Sequence, residues 1–303
     1  MLFAPGDQPR KVEKALAELP ADAVILDLED AVAISAKPAS RLPVTEAIQR
    51  FHAQQTTRPR SKIPNPKSLW VRVNAVDTPW FFGDLDAVVL PGLHGIMLPK
   101  TPNAEAIYLA DRYLSHLERE RALPAGSIEL LPLIESASGA VNLRAICEQG
   151  TPRLQRVGFG ATDYTVDLGA TWTDDESEIL HVRSQMVLFS RAAGLQPPID
   201  TVYPHFREHE RFEALCRRSK ALGFSGRMCI HPDQIESANR LYQPAADEVS
   251  WAQDVLAAFD QAESQGIAAL QVRGQLVDYA FVARAKQILA QANLAQSSEK
   301  NVR

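Results

Sequence analysis

Residues 23–32 run Ala23-Val24-Ile25-Leu26-Asp27-Leu28-Glu29-Asp30-Ala31-Val32. The stretch Ala23–Leu28 is short, rich in branched apolar side chains and closed by acids, which is the pattern of a buried strand rather than a helix. The same unit recurs along the chain. Leu2–Ala4, Leu69–Val73, Gly95–Pro99, Ile128–Ile134, Leu154–Phe159, Pro198–Val202 and Arg227–Ile230 are short apolar runs, most of them bounded by Gly, Pro or Asp. Between them lie helical patterns. Gln8–Leu19 opens after Asp7 as N-cap, with Pro9 in its first turn. Asn103–Arg121 and Glu176–Ala193 are longer, and Ala137–Gln149 ends at Gly150. Eight strand–helix alternations over roughly 240 residues point to a (β/α)₈ TIM barrel, with a doubly wound open sheet as the structural rival.

Two further helical stretches, Asp247–Ser264 and Gln275–Gln291, exceed what a barrel needs. The expected organisation is a catalytic barrel over 1–243 and an appended C-terminal helical segment, or lid, over 244–303. Gln54–Lys67 (QQTTRPRSKIPNPK) reads as a long exposed loop, and the polar tail Gln296–Arg303 as a frayed end.

Composition narrows the function. The 303 residues are 46% hydrophobic and 23% charged, so the chain is an ordinary globular one with enough length for a sizeable core. The 32 Lys and Arg against 37 Asp and Glu form no basic stripe, which argues against nucleic-acid partners. No apolar run reaches about 18 residues, so no membrane span is expected. The opening Met1–Asp7 lacks the basic and apolar regions of a signal peptide. Three scattered cysteines, Cys147, Cys216 and Cys229, suit a reducing cytoplasm rather than a disulfide framework.

Barrel enzymes work at the C-terminal ends of their strands. Glu29 and Asp30 follow the second strand, Arg72 and Asn74 the third, Lys100 the fourth, Glu135 the fifth and Asp163 the sixth. Carboxylates from three strands would converge on one mouth beside Arg72 and Lys100. Acids that close raise each other's pKa unless a cation neutralises them, and Mg²⁺ accepts two carboxylates plus water and substrate oxygens. Glu135 and Asp163 are the economical pair, since each closes a strand and neighbouring strands lie about 4.8 Å apart. Both could equally serve as helix N-caps. Gly158-x-Gly160-x-x-Asp163 lacks the third glycine of a dinucleotide fingerprint. His205-Phe-Arg-Glu208-His209 has the H-x-x-E-H zinc spacing but reads as a solvated helix start. His231 either faces the site or shapes a turn, and Thr173-Asp-Asp-Glu176 reads as a dipole contact before a helix.

Seven motifs then occur in order: Leu2-Phe-Ala-Pro-Gly6, Ala23–Val32, Val71-Arg-Val-Asn74, Leu98-Pro-Lys-Thr101, Leu133-Ile-Glu-Ser-Ala137, Gly158-Phe-Gly-Ala-Thr-Asp-Tyr164 and Gly226-Arg-Met-Cys-Ile-His-Pro232. Together they resemble the citrate lyase β-subunit-like proteins of the HpcH/HpaI aldolase/citrate lyase superfamily, which include malyl-CoA and citramalyl-CoA lyases. The resemblance implies a lyase that needs Mg²⁺, with Mn²⁺ as the alternative, and that makes or breaks a C–C bond beside a CoA thioester. The substrate would be a 3-hydroxy-3-carboxyacyl-CoA such as citramalyl-CoA or malyl-CoA, and the products acetyl-CoA and a 2-oxo acid.

By the same resemblance, Glu135 and Asp163 are metal ligands, and Glu29 and Asp30 are outer acids that orient metal-bound water. Arg72 steadies the thioester oxygen and the substrate carboxylate. The backbone of Gly160, Ala161 and Thr162 cradles the 2-oxo acid, Lys100 joins the substrate-binding set, and Gly6, Arg10 and Lys11 lie near CoA. Gly274-Gln-Leu-Val-Asp278 resembles a C-terminal segment whose Asp reaches a neighbouring subunit's site, which implies a homo-oligomer, a trimer or hexamer. Two features depart from the family: the 54–67 loop is longer than expected, and the chain begins almost at its first strand, leaving room for a short preceding stretch. Two alternatives stand beside this reading. One is a citrate lyase β chain acting on a citryl thioester carried by an acyl carrier protein. The other is a non-catalytic interaction protein on a decayed barrel, against which the intact set Arg72, Glu135, Asp163 and Asp278 argues.

Overall fold

Eight strands form one parallel sheet in chain order: β1 (Leu2–Pro5), β2 (Ala23–Asp27), β3 (Ser68–Arg72), β4 (Gly95–Leu98), β5 (Glu129–Ile134), β6 (Gly158–Phe159), β7 (Ile199–Asp200) and β8 (Gly226–Arg227). The computed structural model describes residues 1–57 and 67–300, with side chains through Ala292. Just past β8, Cys229 bridges in parallel to Leu2, with Phe3 N–H donating to Cys229 O at 2.9 Å and Cys229 N–H to Met1 O at 2.8 Å. The last strand therefore meets the first, and the sheet closes into a (β/α)₈ barrel rather than an open doubly wound sheet. The surrounding helices are α1 (Pro9–Ala17), α2 (Lys37–Thr57), α3 (Phe81–Val88), α4 (Ala104–Glu120), α5 (Ala137–Val141), α6 (Leu143–Cys147), α7 (Ala161–Asp167), α8 (Ser177–Ala192), α9 (His209–Leu222) and α10 (Ile235–Tyr242).

Alternation along each strand divides the core. Ala23, Ile25, Trp70, Met97, Leu131, Leu133, Ile199 and Met228 pack together as one cluster. Val24 and Leu26 alternate with them and are equally buried, so β2 is covered on both faces, as parallel strands are. This is why the strands appear in the sequence as near-continuous apolar runs.

Several elements differ from the sequence pattern. Gln8, not Asp7, precedes α1, and it makes no side-chain cap. Gln54–Thr57 belong to the end of α2, while 58–66 lie outside the described residues. The expected helix over 137–149 is two short helices broken at Asn142, whose side-chain amide donates to Pro102 O at 2.9 Å. Polar side chains of this type compete with the helix for backbone partners. Glu176 is no exposed dipole contact. It is fully buried, and its carboxylate accepts from Arg183 Nη1 at 2.7 Å. Arg183 Nη2 reaches Asp200 at 2.7 Å, and Arg227 Nη1 reaches the same carboxylate at 3.1 Å.

The barrel unit extends to Asn239, and a second compact unit begins at Arg240. Within the second unit, α11 (Ala246–Glu263), a hairpin of β9 (Leu270–Val272) and β10 (Gln275–Val277), and α12 (Tyr279–Lys300) enclose Ala252, Val255, Phe259, Val272, Val277, Val282 and Ala285. Gln275–Val277 thus forms a strand where the sequence pattern suggested helix. Its partner strand lies across the two-residue turn Arg273-Gly274, both at positive φ, the conformation of a tight hairpin turn. The helical backbone of α12 continues through Lys300, and 301–303 lie outside the described residues. No helix among the described residues is long and apolar enough to cross a membrane.

The buried Arg183 network gives the first prediction. Arg183→Met leaves Glu176 and Asp200 buried without their shared cation and should cost about 3–5 kcal/mol of unfolding free energy. Urea denaturation measures it, and a loss below about 1 kcal/mol would contradict the network's role.

Candidate active site

Asp27 and Arg72 end adjacent strands and are register partners across the β2–β3 ladder. The guanidinium donates to both oxygens of Asp27, Nε at 2.8 Å and Nη2 at 2.6 Å. The same carboxylate accepts the backbone N–H groups of Glu29 at 2.9 Å and Ala31 at 3.2 Å, which fixes the acidic turn after β2. Arg72 Nη1 lies 3.0 Å from Glu29 Oε2 and 3.9 Å from Asp30, and the guanidinium sits 4.9 Å above the Phe3 ring. Burial alone would depress the Arg72 pKa. The Asp27, Glu29 and Glu135 carboxylates outweigh it, and the guanidinium stays charged.

Lys100, just beyond β4, has φ +47°, a left-handed conformation that costs a non-glycine residue about 1–2 kcal/mol. In this conformation its N–H donates to Glu135 Oε1 at 2.6 Å. Its ammonium donates to Glu29 Oε1 at 2.6 Å, lies 3.4 Å from Asp30 and is 4.0 Å from Asp163 Oδ1. Glu135 follows β5. Gly160 packs against it so closely that a Cβ there would stand 2.2 Å from Oε2, so glycine is required for the approach. Asp163 lies in the first turn of α7 and is partly exposed.

Five carboxylates, Asp27, Glu29, Asp30, Glu135 and Asp163, therefore face two cations, leaving a formal charge of −3 when all are ionised. Burial, with the Glu29 and Asp163 charges added, pushes Glu135 up to about 8. Burial also raises Glu29, against the opposing pull of Arg72 and Lys100. Among the described residues, Glu135 Oε2 and both Asp163 oxygens accept no hydrogen bond. Two carboxylates with spare oxygens in a net-negative mouth fit a divalent cation of the Mg²⁺ type, which takes its remaining ligands from water and substrate. No group of three or more His, Cys, Asp or Glu among the described residues is arranged to hold a metal by itself.

A cavity of about 50 Å³ adjoins the pair, with Phe3, Leu133, Phe159 and Met228 as apolar wall and Arg72, Glu135, Thr162, Asp163 and Thr201 as polar wall. Of the proposed backbone cradle, Gly160 N–H is committed to Ile134 O at 3.1 Å and Ala161 N–H to Thr201 Oγ1 at 2.9 Å. Thr162 N–H has no acceptor among the described residues. Gly6 N–H donates to Asp27 O at 2.8 Å, and a Cβ on Gly6 would stand 2.7 Å from that oxygen, so the residue has a packing reason beside any ligand contact. Arg10 and Lys11 are exposed on the first turn of α1. Asp278 lies in the second unit, where its Oδ1 accepts from Ala280 N–H at 2.9 Å and caps α12. His231 stacks on Phe206 at 4.4 Å and accepts from Asp233 N–H at 3.3 Å, shaping the turn after β8. Helix α9 begins only at His209, so His205 and Glu208 do not share the helical face that the zinc pattern requires.

Sequence reasoning missed Asp27 as the anchor of Arg72, and Phe3 beneath it. It also missed a support behind the acidic turn. The buried Lys37 ammonium donates to Glu29 O at 2.8 Å and to Asn74 Oδ1 at 2.5 Å. Asn74 in turn donates to Asp84, which Arg41 holds at 2.8 Å. A signal was available: Lys37 and Arg41 are the basic residues at i and i+4 on the helix that follows the acids.

The chain is similar to known proteins over nearly its whole length. The profile of the HpcH/HpaI aldolase/citrate lyase family matches residues 1–232. The chain is 34% identical over 303 residues to the citrate lyase subunit beta of Leuconostoc mesenteroides subsp. cremoris, covering 99% of this chain and 96% of that protein. It is 31% identical to the mitochondrial citramalyl-CoA lyase of Mus musculus, covering 96% and 85%. CitE from Mycobacterium tuberculosis in complex with magnesium, acetoacetate and coenzyme A matches with a TM-score of 0.72 and 28% identity, over 96% of this chain and 97% of that one.

The elevated Glu135 sets a pH dependence. In the metal-free fold its carboxyl holds a proton that the unfolded chain releases above the ordinary value of 4.5, so this group lowers stability as pH rises from there to about 8. For a divalent ion to take Glu135 as a ligand, that proton has to leave. Mg²⁺ affinity should strengthen as pH rises toward about 8 and level off above it, with proton release below that point. Titration calorimetry in buffers of different ionisation enthalpy reads both, and a pH-independent affinity would contradict the assignment.

Proposed function

This chain belongs to the HpcH/HpaI aldolase/citrate lyase family, and on that premise we propose that it is a Mg²⁺-dependent carbon–carbon lyase that splits a 3-hydroxy-3-carboxyacyl-CoA into acetyl-CoA and a 2-oxo acid, or runs the condensation. The observation that carries the reading is the carboxylate excess around Glu135 and Asp163 beside an immobilised Arg72. The names of its relatives point the same way, as does the coenzyme A bound in the CitE complex.

In cleavage, the bond between the hydroxyl-bearing carbon and the carbon next to the thioester breaks. The hydroxyl gives its proton to a water molecule in the mouth and becomes the 2-oxo carbonyl, and the electron pair of the broken C–C bond remains as an enolate on the thioester side. Glu135 and Asp163 would hold the Mg²⁺ ion, which would supply Lewis-acid charge and orientation at the 2-oxo acid oxygens. Arg72 donates to the thioester oxygen as negative charge gathers there, and its bidentate hold on Asp27 lets it do so without reorganising. Glu29 and Asp30 orient water at the metal edge, and Thr162 N–H is free to take a substrate carboxylate oxygen. Asp278 gives the enolate carbon its proton in cleavage and removes it in condensation. We assign Asp278 to the site of a neighbouring copy in a homo-oligomer, with the C-terminal helical segment as lid. CoA lies toward Gly6, Arg10 and Lys11, and a cytoplasmic location suits the soluble substrates.

The similarity to citrate lyase subunit beta favours a second reading, action on a citryl thioester carried by an acyl carrier protein. Turnover of free CoA thioesters by the purified chain alone separates the two. Under either reading Glu135→Gln and Asp163→Asn should each abolish turnover with circular dichroism unchanged, and exhaustive chelation should do the same to the wild type. Undiminished activity after chelation sinks the metal assignment. Asp278→Asn and Glu135→Gln, each inactive alone, should recover about a quarter of wild-type sites when co-expressed in equal amounts, because two intact halves must meet. No recovery in mixed oligomers proven by mass spectrometry removes Asp278 from action in trans.

A further inference from the structure

We propose that Lys100 is a resident counter-cation of the acidic mouth: it ties the carboxylates together in the metal-free protein, competes with the divalent ion for them, and so sets how weakly the metal is held. The inference rests on the reading of Glu135 and Asp163 as the metal pair and goes beyond it.

The argument is geometric. One residue touches four of the five carboxylates, its N–H on Glu135 and its ammonium near Glu29, Asp30 and Asp163. A left-handed φ of +47° lets the backbone and the side chain of Lys100 both serve this one cluster. An ammonium carries three protons to donate; here one short bond of 2.6 Å runs to Glu29, and the two oxygens of Asp30 lie at 3.4 and 3.5 Å, so the head group is engaged by acids of its own chain. The head group is also able to give way. Its side chain is 41% exposed, and no backbone carbonyl holds the ammonium. Lys37, by contrast, is buried and bound to backbone oxygens. Lys100 is therefore a yielding cation, bonded to the outer acids Glu29 and Asp30 and 4.0 Å from Asp163 of the metal pair.

A unit positive charge about 4–6 Å from a divalent ion opposes its binding by roughly tenfold or more, even with the dielectric screening of a solvent-exposed site. Removing that charge should tighten the metal while loosening the metal-free mouth.

Metal-free wild type, Lys100→Met and Lys100→Arg are titrated with MgCl₂ by calorimetry at pH 9 and constant ionic strength, and melted with and without the ion. Lys100→Met should bind Mg²⁺ about tenfold more tightly than wild type, melt lower without metal and gain more from it. Lys100→Arg keeps the charge and should stay within about threefold of wild type. If Lys100→Met does not fold, Lys100→Gln is read in its place. Equal or weaker Mg²⁺ binding by the folded neutral variant overturns the proposal. So does unchanged Mg²⁺ affinity with weakened binding of pyruvate or CoA, which would make Lys100 a substrate ligand. Loss of binding in Glu135→Gln alongside an unchanged Lys100→Met defeats this proposal and leaves the metal pair standing. A wild-type chain that takes up no Mg²⁺ defeats both.

Discussion

Asp27 and Arg72 meet at the ends of neighbouring strands because the parallel register sets them side by side. Asp27 spends both oxygens on the guanidinium and accepts two backbone N–H groups of the turn that follows β2. A planar fork on a carboxylate is among the more rigid charge pairs available to a protein. Once it is made, Arg72 cannot swing, the acidic turn cannot unwind, and Glu29 is held opposite Lys100. The rest of the mouth is arranged around that fixed pair: Phe3 beneath the guanidinium, Lys37 and Asn74 behind the turn, and Gly160 giving Glu135 room.

The arrangement gathers more negative charge than the protein neutralises. Burial favours neutral carboxyls, and in Glu135 it has partly succeeded by raising the pKa to about 8. A fold evolved only for stability would relieve this with an apolar residue or a further cation, since buried charges are expensive and weak as stabilisers. The Arg183–Glu176–Asp200–Arg227 network in the same barrel is balanced, two cations against two acids. The mouth is not balanced in this way, and charge imbalance with a raised carboxyl pKa at a strand-end cleft marks a candidate functional site.

Much of this was legible in the sequence, for definite reasons. Buried parallel strands leave apolar runs, which mark β1 to β5 closely; β6, β7 and β8 are only two residues long, so the expected runs overlap them but overstate their length. Their polar terminators, Glu29, Arg72, Lys100, Glu135 and Asp163, stand out because a strand end is where a barrel exposes chemistry. What was lost depends on partners distant in sequence. Asp27 looked like one more acid in a row, and only the β2–β3 register makes it the anchor of Arg72. Glu176 read as a dipole contact before a helix, and its partner Arg183, seven residues later, holds it in the core instead. Gln275–Val277 carries a helix-compatible pattern, and a two-residue turn makes it a strand. The break at Asn142 follows from a bond to Pro102 forty residues away.

The central claim is that Glu135 and Asp163 form a divalent-cation site in this mouth. Anomalous diffraction from crystals soaked in Mn²⁺ tests it most directly, because Mn²⁺ scatters anomalously and accepts the oxygen ligands that Mg²⁺ does. The account predicts one strong anomalous peak per chain within coordination distance of both carboxylates. A fully soaked crystal with no peak there, or with its strongest peak on other side chains, would contradict it.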